Sequence, residues 1–272
     1  MLKARLISAA VMVPLVVCGV LFLSTPVFAL ILAGILLLAA WEWSHLIPVG
    51  NITLRIIYMA AIAALFWLLW QAGLALNIFP VLLMAFVWWL CALFWLSRPQ
   101  ILAAASPVNV NLKMLVGALV IVPAWAALSM LHASGASGPK LTLMLLVMVW
   151  LADSGAYFAG RQWGKTKLAP AISPGKTWEG VYGGLLSSLV FAAVAGGLYS
   201  HDVSWTLKFM LVAAVTVLFS VVGDLLESLL KRHSGIKDSG RIIPGHGGIF
   251  DRVDGLVAAA PMFLTGFLWL GL

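Results

Sequence analysis

The chain has 272 residues, 63% of them hydrophobic and 9% charged, with a formal net charge of +7. Soluble domains are roughly half apolar and a quarter charged, so a soluble globular protein is excluded. The cations lie in short stretches between apolar runs, a pattern that suits membrane topology and phosphate binding rather than a nucleic-acid surface, and no nucleic-acid partner is expected.

Apolar runs long enough to cross about 30 Å of hydrocarbon recur from end to end. They predict an all-α polytopic integral membrane protein with about nine transmembrane helices, near 6–23, 26–43, 54–72, 78–97, 112–131, 141–160, 180–199, 205–230 and 255–272. With the N-terminus cytoplasmic and the C-terminus outside, fourteen of the sixteen cations fall on the inner side and only Lys140 and Lys208 outside. That split sets the expected orientation. The expected location is multi-pass in the bacterial inner (cytoplasmic) membrane. Trp41, Trp43, Trp70, Trp95, Trp150, Trp163, Tyr199 and Trp205, near span ends, are expected in interfacial belts.

Taken in order, residues 1–131 read as a scaffold of transmembrane helices with little chemistry. Lys3 and Arg5 before the first apolar run read as the flank of an uncleaved first helix. Cys18 and Cys91 both fall inside spans and indicate neither a disulfide nor a metal pair. Glu42 and His45, in Trp-Glu-Trp-Ser-His, lie near the inner end of the second span. An intramembrane acid is a functional candidate, but its interfacial, Trp-flanked position suits a structural role equally. The stretch 132–140 reads as a flexible outer loop. No internal repeat is visible, which counts against a secondary transporter using Asp153 and Asp224 as an ion relay.

Residues 132–272 carry the expected cytoplasm-facing catalytic site. In the sixth span Asp153 sits about two helical turns, roughly 12 Å, from the inner end near Arg161. An ionised acid there needs a partner or a wet cavity. Tyr157 follows at i+4 on the same face, and Ser154, Gly155, Ala156, Ala159 and Gly160 permit close helix approach. The next loop, 161–180, holds two near-matches to a phosphate-binding P-loop, but neither has the required spacing and a Walker-type nucleotidase is rejected. Ser173, Lys176 and Thr177, just before a helix, still offer hydroxyls, an ammonium and backbone N–H groups as an anion cradle.

The eighth span ends with Asp224, Glu227 and Lys231 at i, i+3 and i+7, one helix face. Beyond it the segment 228–254 holds eight charged residues: Lys231, Arg232, Lys237, Asp238, Arg241, Asp251, Arg252 and Asp254. Asp224, Asp251 and Asp254 form an oxygen-donor set of the kind that holds Mg²⁺, with a second cation as an open alternative. A salt-bridge network with Lys231, Arg232 and Arg252 would use the same residues. His246 suits phosphate contact or a structural hydrogen bond. Gly247 and Gly248 would let backbone approach a substrate closely, or make a tight turn.

Written as S-x-L-K-R-x-x-x-x-K-D-x-G-x-x-I-P-G-H-G-G-x-x-D-R-x-D, residues 228–254 resemble the signature of the phosphatidate cytidylyltransferases (CDP-diacylglycerol synthases). Two further blocks, D-S-G-A-Y-x-x-G from Asp153 and S-P-x-K-T-x-E-G from Ser173, are similar to others of that family. Gly175 departs from it, since many members carry a second Lys there. The resemblance implies transfer of CMP from CTP to phosphatidate, giving CDP-diacylglycerol and pyrophosphate for phospholipid biosynthesis. It implies a polytopic homodimer in the lipid bilayer and a metal centre at Asp224, Asp251 and Asp254. Lys176, Lys231, Arg232, Lys237 and Arg252 would then meet phosphates, with Asp153, Tyr157, Ser173, Thr177, Ser228, Asp238, His246, Gly247 and Gly248 as further substrate contacts. An enzyme acting on another membrane lipid phosphate is the alternative that shared phosphate motifs leave open.

Overall fold

The computed structural model describes residues 2–47, 50–240 and 247–272, with side chains from residue 10 onward. Its helices are α1 (Leu2–Phe22), α2 (Thr25–His45), α3 (Ile52–Gln71), α4 (Leu74–Ser97), α5 (Pro107–His132), α6 (Gly138–Trp163), α7 (Trp178–Ser200), α8 (Val203–Ser234), α9 (Phe250–Val253) and α10 (Leu256–Trp269). The predicted spans match α1 to α8 and α10 to within a few residues, because a chain in hydrocarbon must satisfy its backbone internally. The breaks follow local chemistry. Asn51 accepts from Thr53 N at 2.8 Å to start α3, and Ser106 accepts from Asn109 N at 3.2 Å, with Pro107 next, to start α5. Asp202 accepts from Ser204 N at 2.9 Å to start α8, which closes on Gly235 at φ +67°.

Among the described residues seven helices, α2 to α8, are long and apolar enough to cross a membrane by length and composition. The nine-span reading also counts α1, whose described apolar stretch is Ala10–Phe22, and the 14-residue α10. Leu76, Phe79, Phe94, Leu186 and Leu198 each stand more than 60% exposed on outward faces. In water such apolar faces would be a liability; facing lipid they are ordinary.

The core is organised around α5, which packs on α2, α4 and α10 with α3 and α6 beside it. Three of its buried polar side chains find partners within the protein. The Trp125 indole N–H donates to the Ala29 carbonyl at 2.9 Å, and the Trp43 indole N–H to the Lys113 carbonyl at 2.9 Å. His132 stacks on Phe28 and bonds Thr25 Oγ1 at 3.0 Å and the Val20 carbonyl at 2.9 Å. Two of the tryptophans expected in interfacial belts are core residues instead: Trp43 is fully buried and Trp95 donates to the Ile101 carbonyl at 2.7 Å. Each indole has a backbone acceptor within the protein and does not need the headgroup layer.

Two stretches differ from expectation. Residues 135–137 form a 3₁₀ turn and Gly138 already opens α6, with Pro139 in its first turn where the missing N–H costs nothing. The 161–180 connection is no open loop. It holds a two-stranded antiparallel hairpin, β1 (Lys167–Ala169) with β2 (Ser173–Thr177), added to the all-α frame. Thr177 then caps α7 by accepting from Gly180 N at 3.2 Å. The 32 residues of α8 span about 48 Å, more than the roughly 30 Å hydrocarbon layer, so one end projects.

Candidate active site

The C-terminal ends of α6 and α8, the start of α7, the hairpin and the α9–α10 junction converge on a cavity of about 610 Å³. Tight contact between α8 and the junction creates it. A methyl added at Gly223 would overlap the carbonyl oxygen of Asp254, so only glycine lets the chain pass there. That approach sets Asp224, one residue on, against Asp254. Ligand atoms of Asp224, Glu227 and Asp254 all lie within 4.8 Å of one another.

Cations surround these carboxylates. Lys176, carried in by β2, forms an ion pair with Asp224. Lys231, one turn beyond Glu227 on α8, donates to Glu227 Oε2 at 2.8 Å and to Asp251 Oδ1 at 2.9 Å. Asp153 and Tyr157 of α6 line the opposite wall, and Arg161 Nη1 donates to the Tyr157 hydroxyl at 3.0 Å. Asp238, Arg252 and Thr177 complete the lining that the sequence foresaw.

Asp251 differs from its expected place in the metal set. Besides Lys231, it accepts from Ser239 N at 3.1 Å and from Gly248 N at 2.8 Å. Burial by itself would raise its carboxyl, but the bonds from the Lys231 ammonium and the Gly248 N–H bring it down to about 2. Asp254 goes the other way: burial and then the Asp224 charge push it well above the usual carboxylate range. The i, i+3 spacing of Asp251 and Asp254 therefore does not give them one task. The helix breaks between α9 and α10, and the two carboxylates meet different partners.

Other expected residues stand back from the cavity. Arg232 Nε donates to the Ile172 carbonyl at 3.0 Å and so holds the hairpin turn. Ser173 pairs with Ala169 in the ladder, so this stretch is a strand that delivers Lys176 rather than an open cradle. Ser228 is half-buried on α8 and Lys237 is exposed beyond its end; neither lines the cavity. Gly247 and Gly248 face protein carboxylates, those of Asp251 and Glu42. His246 and Arg241 lie outside the described residues.

Three residues gain importance that the sequence reading did not assign. Glu227 completes the carboxylate cluster, and its place three residues after Asp224 on one face was the available signal. Arg161 lines the cavity, although it entered the reading only as a topological cation. Glu42, weighed from the sequence as an intramembrane acid with functional and structural readings open, bonds to Ser239 and Phe250, about 200 residues away, a pairing that no local pattern signals.

The donor set fits a hard divalent cation: three carboxylates in reach of one point, with Glu227 Oε1 buried and lacking a hydrogen-bond partner among the described residues.

Comparison with known proteins adds a family. A model described as the cytidylyltransferase family matches residues 3–269. The phosphatidate cytidylyltransferase of Pseudomonas aeruginosa is 41% identical over 274 residues, covering 99% of this chain and 97% of the relative. That of Haemophilus influenzae is 39% identical over 287 residues, covering 97% of each. The Staphylococcus haemolyticus protein of the same name is 46% identical over 134 residues, about half of each chain.

Proposed function

This chain belongs to the cytidylyltransferase family, and from that premise we infer that its cavity transfers CMP from CTP to phosphatidate. The products are CDP-diacylglycerol and pyrophosphate. An oxygen of the lipid phosphate attacks the α-phosphorus of CTP and forms the new P–O bond. The bond to the β-phosphate bridging oxygen breaks, and its electron pair leaves on pyrophosphate. The attacking oxygen of a phosphate monoester is already anionic at neutral pH, so no general base is required. The protein has to position the two phosphates in line and neutralise charge as it moves.

The observation that carries this reading is one cavity holding a three-carboxylate cluster with Lys176, Arg161 and Arg252 around it, toward the C-terminal end of α8. We assign Lys176, Arg161 and Arg252 to the phosphates of CTP and lipid. Lys231, already shared between Glu227 and Asp251, keeps those two acids in place. Asp153 and Tyr157 form the wall against which the headgroup is oriented. Asp224, Glu227 and Asp254 would hold Mg²⁺, which when bound supplies charge neutralisation to phosphoryl oxygens. The acyl chains stay in the bilayer beside the apolar outer faces of the helices.

The protein is a multi-pass membrane protein. We place its site on the cytoplasmic side of a bacterial inner membrane, supported by the cation split, and take the homodimer implied by the signature as its assembly. Outside labelling of Gly175→Cys in intact cells would reverse that orientation, and cross-linking in native membranes reads the dimer. For the reaction itself, detergent-solubilised protein should move label from CTP into a lipid-soluble product only when phosphatidate is added, and chelator should stop it. Equal labelling of another lipid phosphate would overturn the substrate assignment.

A further inference from the structure

Glu42 is the only acid among the first 152 residues. It lies in the last turn of α2, 2% exposed. Its Oε2 accepts from the Phe250 N–H at 2.7 Å and from the Ser239 hydroxyl at 3.2 Å. Those two donors bracket the glycine-rich part of the signature. From the other side Asp251 accepts from Ser239 N and Gly248 N. The two acids thus hold Ser239 together with Gly248 and Phe250 like a clasp, Glu42 from the first half of the chain and Asp251 from the residue after Phe250.

Packing makes the clasp specific. A methyl on Gly240 or Gly248 would overlap the Glu42 carboxylate, so these two glycines pack directly against the acid. Trp43, the next residue on α2, meets Phe250 edge to face at 5.3 Å between ring centroids. Phe250 opens α9, and the next four residues include Asp251, Arg252 and Asp254. Releasing the Phe250 N–H would leave a buried donor unpaired and the buried carboxylate with the Ser239 hydroxyl as its remaining hydrogen bond.

We propose that Glu42 is a positioning residue for cytidylyl transfer: anchored on α2, it fixes both ends of the 239–250 segment and sets the α9 start that carries Arg252 and Asp254 to the cavity. It touches no reacting group. The proposal rests on the reading of this cavity as the cytidylyl-transfer site.

The test compares Glu42→Gln, Ser239→Ala and the double variant with wild type. The readouts are kcat, KM for CTP, thermal stability and amide hydrogen exchange across 239–250. Outer supports of this kind cost about tenfold to a hundredfold when removed. Glu42→Gln should lose that much in kcat with little change in KM for CTP, and exchange in 239–250 should accelerate. Ser239→Ala should shift both readouts the same way and less far. The double variant should fall short of the product of the singles, because both cut one tether. A purely structural Glu42 would lower the melting temperature while folded enzyme kept wild-type kcat, and that result overturns the proposal. Should Glu42→Gln not fold, Ser239→Ala decides: slower turnover with faster exchange supports the tether, and wild-type values for both sink it. A wrong substrate assignment would show separately, as wild-type enzyme without turnover, while exchange still reports the clasp.

Discussion

The two halves of this molecule use the same material, long apolar helices, and treat polar groups in opposite ways. In α1 to α5 the buried indoles of Trp43 and Trp125 and the imidazole of His132 end on backbone carbonyls, each group satisfied where it lies. In α6 to α10 the polar groups are charged and face one another: three carboxylates crowd within 4.8 Å, with Glu227 Oε1 lacking a hydrogen-bond partner among the described residues. The first arrangement pairs these three groups without a ligand, while Tyr58 Oη, Trp88 Nε1, Trp89 Nε1 and Ser129 Oγ of the same helices have no hydrogen-bond partner among the described residues. The second is an arrangement that a cation and phosphates would complete, and such local violations of the packing rules are expected at working sites.

Substitutions that disturb each half can break or sharpen this contrast. The largest effect is expected at Lys231, whose ammonium holds two acids that are 1% and 8% exposed. Lys231→Met leaves both without their cation, and breaking a buried pair costs about 3–5 kcal/mol, so stability and turnover should both collapse. Thermal melting of the extracted protein beside an activity assay reads this directly. The same brace has a pH signature. Asp251 is held at about 2, below its ordinary 3.8. Its contribution to stability is therefore full above about pH 4 and drains away as pH falls toward 2. Asp251→Asn should lower stability and abolish that acid dependence while leaving the Mg²⁺ requirement in place. A changed Mg²⁺ requirement with normal stability would restore Asp251 to the metal set.

Asp254→Asn should separate site from scaffold. Losing one strong electrostatic contact at a reacting centre costs about 3–4 kcal/mol, so turnover should drop by roughly a hundredfold to a thousandfold. Melting should barely move, since the substitution relieves repulsion from Asp224. Near-normal turnover would remove Asp254 from the cluster.

Gly223→Ala tests the close pass that creates the cavity. Its methyl meets the Asp254 carbonyl oxygen, and overpacking of this kind costs about 1–3 kcal/mol. Turnover should fall further than stability, because the displaced atoms belong to the site. The smallest effect belongs to the scaffold. Trp125→Phe removes the bond to the Ala29 carbonyl, at a cost of about 1 kcal/mol or somewhat more in stability. The kcat and KM of the folded enzyme should not change, and a loss of kcat here would show that the halves are more tightly coupled than their chemistry suggests.

Much of this was legible before the structure. Hydropathy marks a helix in lipid because nothing else satisfies the backbone there, and the helix boundaries were placed within a few residues. The residues around the cavity could be collected from two stretches of sequence because charge is so scarce in this chain. The hairpin at 167–177 escaped because its strands are three and five residues long and carry no alternating apolar pattern. The choice between Asp251 and Glu227 escaped for another reason. Both satisfy helical spacing with a neighbouring acid, and only the break between α9 and α10 turns Asp251 toward Lys231 and leaves Glu227 beside Asp224 and Asp254.

Composition and periodicity by themselves determined the membrane class, the approximate helix boundaries and the stretches where the scarce charges gather. These are properties of a residue and its near neighbours, and hydrocarbon reads them one helix at a time. Tertiary structure alone decided which acids share a point, that Arg232 braces a hairpin instead of lining the cavity, and that Glu42 reaches across the chain to Ser239 and Phe250. Those outcomes depend on how close two helices can come, which a glycine such as Gly223 permits and only its partner on the other helix turns to use.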